Sequence, residues 1–459
     1  MDTPGTANNP FRVAVVGAGP SGFYAAEALL KSGQNIRVDM IERLPAPYGL
    51  VRYGVAPDHP KLKEAILVYA VIARLPHFNL LGNVAVGRDV TVDELRAHYH
   101  GVIFTCGAET DRHLGIPGED LPGSHTATEF VAWYNGHPDY RERSFDLSAE
   151  VAAIVGQGNV AADVCRILAK TVDELKATDI TEHALDALAA SRVREIHVIG
   201  RRGAAQAKFT NKELKELGEL PNCDAVVNPQ DMELNAESLA ELEVKSNFVS
   251  AKNVEIFRAF ASRGPTGKPR RIVFHFLQSP VAIKGAARME QVVLARNRLE
   301  GAPMQQVARE SGETSLLPCG LLFRSIGYSG VPISGVPFDV RRGVFPTQEG
   351  RIVDGAVALP GLYAAGWIKR GPTGIIGTNR ADSIATVKSL LADLPRLAPE
   401  AKAGAEALKP LLAKRDVRVV SLDDWLKIDA AEVARGQPKG KPREKFTRVA
   451  EMLHCLDGP

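Results

Sequence analysis

The chain has 459 residues, a length that at about 150 residues per domain allows two large units or roughly three. Lys plus Arg number 56 against 54 for Asp plus Glu, and the resulting formal net charge of +2 excludes a global field that would hold the protein on nucleic acid or an anionic membrane. Hydrophobic residues at 45% and charged residues at 24% exclude a disordered or collagen-like chain, and five scattered cysteines (Cys106, Cys165, Cys223, Cys319, Cys455) offer neither a CxxC pair nor a zinc-ligand spacing.

The first ten residues carry neither the basic end and apolar core of a secretory signal nor an Arg-rich amphipathic pattern. The longest apolar stretch, residues 65–73, is far short of the roughly 20 residues that span a bilayer. A cytoplasmic protein without membrane insertion is therefore expected.

Residues 12–16, opening on Arg12, read as a continuous β-branched run with no polar alternation, the pattern of a strand buried on both faces. Gly17-Ala18-Gly19-Pro20-Ser21-Gly22 follows it, and residues 23–31 read as a helix. In that setting Gly17 permits the tight turn, Gly19 leaves no Cβ between backbone and a pyrophosphate, and Gly22 lets helix and strand approach closely. The helix N-terminus then turns its N–H groups toward the phosphates. A second strand, residues 36–41, ends in Glu42, twenty residues beyond Gly22, where a carboxylate accepts both hydroxyls of an adenosine ribose and repels a 2′-phosphate.

The device recurs. Residues 151–155 read as another apolar strand, followed by Gly156-Gln157-Gly158-Asn159-Val160-Ala161 and a helix over 162–170. The next strand, 195–199, ends in Gly200-Arg201-Arg202-Gly203 where the first unit has its acid. Two guanidiniums grip a phosphate bidentately and stay charged, so this second site is expected to take NADP rather than NAD. Forty residues separate Ala161 from Arg201, which a helical excursion over 171–191 would account for. Two dinucleotide sites of opposite ribose chemistry suggest electron transfer between a resident flavin and an exchanging nicotinamide nucleotide. Residues 360–367 read as an apolar strand ending in Gly366-Trp367, and a loop then leads through Gly374 and Gly377 to a helix beyond Thr378. Such a helix N-terminus can aim N–H groups at a flavin edge.

These motifs resemble the adrenodoxin reductase family, including the bacterial ferredoxin–NADP reductases of that type. The resemblance is carried by residues 15–24, 49–60, 82–87, 156–160, 198–203, 325–328, 366–374 and 440–445, and is weakest over about 223–320. It implies an α/β fold of two Rossmann-like domains arranged as in glutathione reductase. A discontinuous FAD domain (1–107 and 337–459) would receive an inserted NADP domain (108–336). It further implies FAD and NADP as cofactors, hydride transfer from NADPH, and one-electron transfers to an acidic iron–sulfur ferredoxin. By the same resemblance Ser21, Glu42, Leu50, Val86, Trp367 and the backbone of Gly374, Ile375 and Ile376 are FAD contacts. Gln157, Gly158, Asn159, Val160, Arg201, Arg202 and Glu213 are NADP contacts, with Gly374 shared. His59 and Glu213 are the candidates for positioning the nicotinamide or modulating flavin protonation. Read alone, Glu213 is an exposed helix acid and His59 a loop residue satisfied by its neighbours.

The basic runs 435–448, with six Lys or Arg against one acid, and 192–215, with seven against two, are the expected docking surfaces for an acidic carrier. Three alternatives stay open: a flavin subunit of a larger oxidoreductase, a flavin monooxygenase, and a flavin-binding redox sensor that responds to NADPH by changing its associations.

Overall fold

The computed structural model describes residues 5, 6, 9–397 and 400–458. Residues 1–4, 7 and 8 of the N-terminal stretch read for targeting signals lie outside them. The chain divides into two compact units. One takes the residues up to Thr110 together with Asn135–Asp139 and Gly327–Pro459; the other takes Asp111–Tyr134 and Tyr140–Ile326.

The first unit is built on a seven-stranded sheet. Five parallel strands lie in the spatial order Val357–Ala364, Gly101–Phe104, Phe11–Val16, Ile36–Ile41 and Phe78–Leu81. The short strands Arg351–Asp354 and Thr347–Gln348 extend one edge antiparallel. Every residue of Phe11–Val16 is buried, as a central parallel strand requires, including Arg12, whose guanidinium pairs with Glu406 at 2.9 Å. The helix after the glycine loop runs over Pro20–Leu30 rather than starting at Phe23, because proline suits the first helical turn, where its missing N–H costs nothing. For the same reason of an unpaired first turn, the helices expected at 162 and beyond 378 also start early, at Asn159 and Ile376.

The second unit is built on a six-stranded, wholly parallel sheet in the order Ser124–Thr126, Leu321–Arg324, Val151–Val155, Glu195–Ile199, Arg270–His275 and Cys223–Val227. The excursion over 171–191 is two short helices, Val172–Leu175 and Glu182–Ala189, the first opened by a capping box in which Thr171 and Glu174 bond reciprocally. A three-stranded antiparallel sheet, Gln278–Lys284, Gln291–Glu300 and Val307–Pro318, completes this unit and fills a region where the sequence carries little motif-level signal. Among the described residues no helix is long and apolar enough to cross a membrane.

The first unit ties its C-terminal segment down with buried charge. Arg52, on the helix Gly49–Tyr53, donates from Nη2 to Glu432 Oε1 at 2.6 Å, with both side chains almost wholly covered. The Arg52 guanidinium also lies over the rings of Tyr53 and Trp425, at 5.0 and 5.1 Å. Glu432 accepts in addition from the Phe446 N–H at 2.9 Å. Removing one partner of such a pair strands a buried charge, so Glu432→Ala is expected to cost about 3–5 kcal/mol, read from denaturant unfolding of the purified protein.

Candidate nucleotide-binding sites

In the first unit the glycine loop, the end of the second strand and the Gly366 segment converge. Gly22 is needed for contact: a Cβ there would stand 2.1 Å from the Gly17 carbonyl oxygen. Over Gly19, by contrast, nothing lies within 4 Å of where a Cβ would be, so open space faces the N-terminus of Pro20–Leu30. That is the room a pyrophosphate requires beside unpaired N–H groups. Glu42 bonds back to the glycine loop. Its Oε2 accepts from the Ala18 N–H at 2.9 Å and its Oε1 from the Leu44 N–H at 3.1 Å. Burial raises its carboxyl above the ordinary range, while these two N–H groups and Arg43 pull the other way. Each carboxylate oxygen keeps acceptor capacity after one bond, which suits ribose hydroxyls.

The third segment reaches the same place. Gly366 adopts φ +77°, and a Cβ on it would stand 2.2 Å from Ser21 Oγ, so only glycine lets this strand end touch the first loop. The following helix, Ile376–Asp393, turns a polar stripe inward. Asn379 Oδ1 accepts from Ser21 Oγ at 3.1 Å, and Ser383 Oγ donates to the Ser21 carbonyl at 2.9 Å. Asp382 Oδ2 accepts from the Gly366 N–H at 2.6 Å and pairs with Lys369. Asn379, Asp382 and Ser383 were absent from the candidates drawn from the sequence, although polar residues at i, i+3, i+4 and i+7 (Thr386 included) mark one helix face. Trp367 is half-buried, its ring 5.4 Å from that of Tyr328 and its Nε1–H donating to Thr373 O at 3.2 Å. Gly374 and Ile375 are exposed, Ile376 and Val86 half-exposed, and Leu50 lies in the helix Gly49–Tyr53 with 38% exposure. His59 is half-buried at the residue preceding the short helix Pro60–Lys63, its own backbone N–H donating to Ala56 O at 3.0 Å.

The second unit repeats the plan with opposite charge. Gly158 has the same open space beside it, at the N-terminus of Asn159–Ala169. Gln157 Nε2 donates to His275 O at 2.9 Å, and Asn159 Oδ1 accepts from the Thr210 N–H at 2.8 Å, so both side chains brace the loop. Val160 packs on the core and Ala161 is fully buried within it. Arg201 is exposed and Arg202 half-exposed, and among the described residues neither makes an ion pair within 4 Å. Partial burial, and then the neighbouring Arg201, lower the Arg202 pKa, with Glu241 pulling the other way. Their backbone is held on both sides: Asn297 Nδ2 donates to Arg201 O at 2.9 Å and the Leu277 N–H to Arg202 O at 3.0 Å. Gln206 Oε1 accepts from the Gly203 N–H, while its Nε2 donates to buried Glu241 at 2.8 Å. The loop therefore presents its guanidiniums from a fixed frame.

Two readings of single residues change. Glu213 is not an exposed helix acid: it is 7% exposed, and its Oε2 accepts from Arg166 Nη1 at 2.7 Å. The basic run 435–448 is only partly turned inward, since Arg435, Lys439 and Arg448 are exposed. Lys441 and Lys445 are buried, and Lys441 Nζ pairs with Glu444 at 2.6 Å. Arg443 pairs with Asp429, and the Arg435 guanidinium lies 4.3 Å from the Phe446 ring centre. Acids of the preceding helix, Leu422–Gly436, neutralise charges that look solvated in sequence. In the run 192–215, by contrast, Arg192, Arg194, Arg201, Lys208, Lys212 and Lys215 are all exposed. All five cysteines are free, and burial pushes the thiols of Cys106, Cys223 and Cys319 up to about 12, which leaves these three no thiolate character near neutrality.

Two sheets, one wholly parallel and one with a parallel core of five strands, each with a glycine loop feeding a helix and with opposite charges at the second strand ends, define a two-nucleotide oxidoreductase fold. The family described as pyridine nucleotide-disulphide oxidoreductase matches residues 11–216. The NADPH-ferredoxin reductase FprA of Mycobacterium tuberculosis is 44% identical over 460 residues, covering 97% of this chain and 98% of the relative. The mitochondrial NADPH:adrenodoxin oxidoreductase of Salvelinus fontinalis is also 44% identical, covering 99% and 92%. The solved structure of M. tuberculosis FprA in complex with NADPH superposes with a TM-score of 0.93 at 43% identity, covering 98% of this chain and all of that one. The chain belongs to the family of NADPH-ferredoxin reductases and adrenodoxin reductases.

Proposed function

We propose that the protein is an FAD-dependent ferredoxin–NADP(+) oxidoreductase that draws reducing equivalents from NADPH and delivers electrons singly to an acidic iron–sulfur ferredoxin. The observation that carries this reading is the contrast between Glu42 and the Arg201–Arg202 pair at equivalent ends of two glycine-loop units. A carboxylate there takes a free ribose, as FAD offers, and unpaired guanidiniums take a 2′-phosphate, as NADPH offers. Family membership supports the same assignment.

In this reading residues 1–107 and 337–459 hold FAD and residues 108–336 hold NADP. The open space over Gly19, the Glu42 carboxylate and the Gly366–Ile376 segment form the FAD cradle, with Ser21 fixed by Asn379 and Leu50, Val86 and Trp367 as further contacts. A bound flavin supplies the conversion of two-electron to one-electron chemistry. The chain's own part is positional. Gly158 and the first turn of Asn159–Ala169 receive the NADPH pyrophosphate, with Gln157, Asn159 and Val160 shaping the loop. Arg201 and Arg202 hold the 2′-phosphate, and His59 and Glu213 orient the nicotinamide end. A cytoplasmic location is part of the proposal, supported by five free cysteines.

The test is NADPH-driven cytochrome c reduction with purified candidate ferredoxins added in turn, beside NADPH-driven ferricyanide reduction. Multiple turnover in both, dependent on ferredoxin in the first, is the expected result. Protein that purifies and reconstitutes without FAD, or that binds NADPH without turnover, would overturn it and favour the sensor.

A further inference from the structure

The helix Ala65–Ala73 is apolar at every position, a composition that normally demands cover all round. It is covered on one side only. Tyr69, Ile72 and Ala73 are buried, with the Tyr69 ring stacked on Phe23 at 4.9 Å between centres. On the opposite side Leu67, Val68 and Val71, spaced i, i+1 and i+4, are 67%, 48% and 64% exposed. Leu62, on the preceding helix Pro60–Lys63, adds another exposed leucine at 45%. Four large apolar side chains within ten residues thus share one stretch of surface of the first unit.

Positive charge brackets the patch. Lys61 is exposed at its N-terminal end and Arg74 at its C-terminal end, and Glu64 is the one acid between residues 60 and 75. The segment also starts from the nucleotide loop: a Cβ on Gly49 would stand 3.1 Å from Gly19 Cα, so the helix Gly49–Tyr53 springs from that loop and leads to Pro60–Lys63. We propose that the Leu62, Leu67, Val68 and Val71 face, with Lys61 and Arg74 at its ends, is the docking surface for the acidic iron–sulfur ferredoxin. The proposal rests on the oxidoreductase reading above.

Size and charge choose this occupant. Four side chains span a few hundred Å², well below the roughly 800 Å² per partner of a stable dimer, whereas transient electron-carrier encounters bury little surface. An apolar centre that excludes water with a cationic rim that steers an anionic partner is the division of labour such an encounter needs. A second copy would bring the same cations against themselves.

The experiment uses full-length protein loaded with FAD and a purified plant-type [2Fe–2S] ferredoxin. Two double variants are compared with the parent, Leu67→Ser with Val71→Ser, and Lys61→Glu with Arg74→Glu. Both should raise the KM for ferredoxin about tenfold or more in cytochrome c reduction, and leave the rate of NADPH-driven ferricyanide reduction within about twofold. An unchanged ferredoxin KM in both variants, with the parent active, overturns the docking surface alone. A parallel fall in both assays also overturns it, because the change then reached the reaction site. Sedimentation in which the parent is a dimer and the serine variant a monomer would assign the face to a second copy, and flotation of the parent with anionic phospholipid vesicles would assign it to a lipid surface. A parent that reduces ferricyanide but no ferredoxin defeats the functional reading itself.

Discussion

Replacing Arg201 and Arg202 together with alanine is expected to raise the KM for NADPH by about 100-fold or more while leaving NADH-driven ferricyanide reduction nearly unchanged. Each charge-assisted hydrogen bond to phosphate contributes about 1.5–3 kcal/mol, so losing two removes roughly 3–6 kcal/mol of binding. The loss falls on NADPH alone because the 2′-phosphate is the only group by which the two nucleotides differ. The frame argues that the rest of the site survives. The Arg201 and Arg202 carbonyls, rather than their side chains, receive Asn297 and Leu277, so alanine keeps those bonds. Steady-state kinetics with both nucleotides decides the matter. An equal loss with NADH would mean that the pair supports the loop and does not read the phosphate.

Glycine loops were legible because their chemistry is written in residue types at fixed offsets: an apolar strand, glycines where a Cβ would strike backbone, then helix formers. The 2.1 Å approach at Gly22 is that rule in atomic form. The charges at Glu42 and Arg201–Arg202 were equally legible, since each terminates a strand whose register is set by burial. Other parts were hidden for identifiable reasons. The strand Val307–Pro318 is exposed along most of its length and held by pairing with Gln291–Glu300, so it has no hydrophobic alternation to detect. Asn379, Ser383 and Thr386 gave no signal because their partners, Ser21 and Ala364, against which they are buried, lie outside their own helix. Lys441 and Lys445 misled in the opposite direction: both are buried, Lys441 against Glu444 of the same run, while Asp429 on the helix Leu422–Gly436 takes Arg443 between them. Local pattern carries backbone geometry and charge type. Which polar groups are satisfied internally depends on contacts that only the folded chain makes.

Glu42→Ala is expected to give protein that purifies largely without FAD, and the argument rests on two losses that act on the same loop. The first is direct: the ribose loses its acceptor, with about 1.5–3 kcal/mol per hydrogen bond to a charged group. The second is structural. Ala18 and Leu44 both donate backbone N–H groups to this carboxylate, and alanine strands them in a covered site at about 1–3 kcal/mol each unless water enters. Ala18 lies between Gly17 and Gly19, so the turn that must face the pyrophosphate is itself released. A conservative Glu42→Gln change separates the two effects. Its amide oxygen still accepts one of the N–H groups, but its NH2 faces the other donor, so flavin retention should fall between that of the parent and that of the alanine variant. The measurement is flavin absorbance per chain after purification, followed by the dissociation constant on re-addition of FAD. Binding of 2′-phospho-AMP reports separately on the Arg201–Arg202 site and should be unchanged in both variants. Full FAD content in Glu42→Ala would remove the carboxylate from the binding site, and loss of 2′-phospho-AMP binding alongside FAD would point to general unfolding instead.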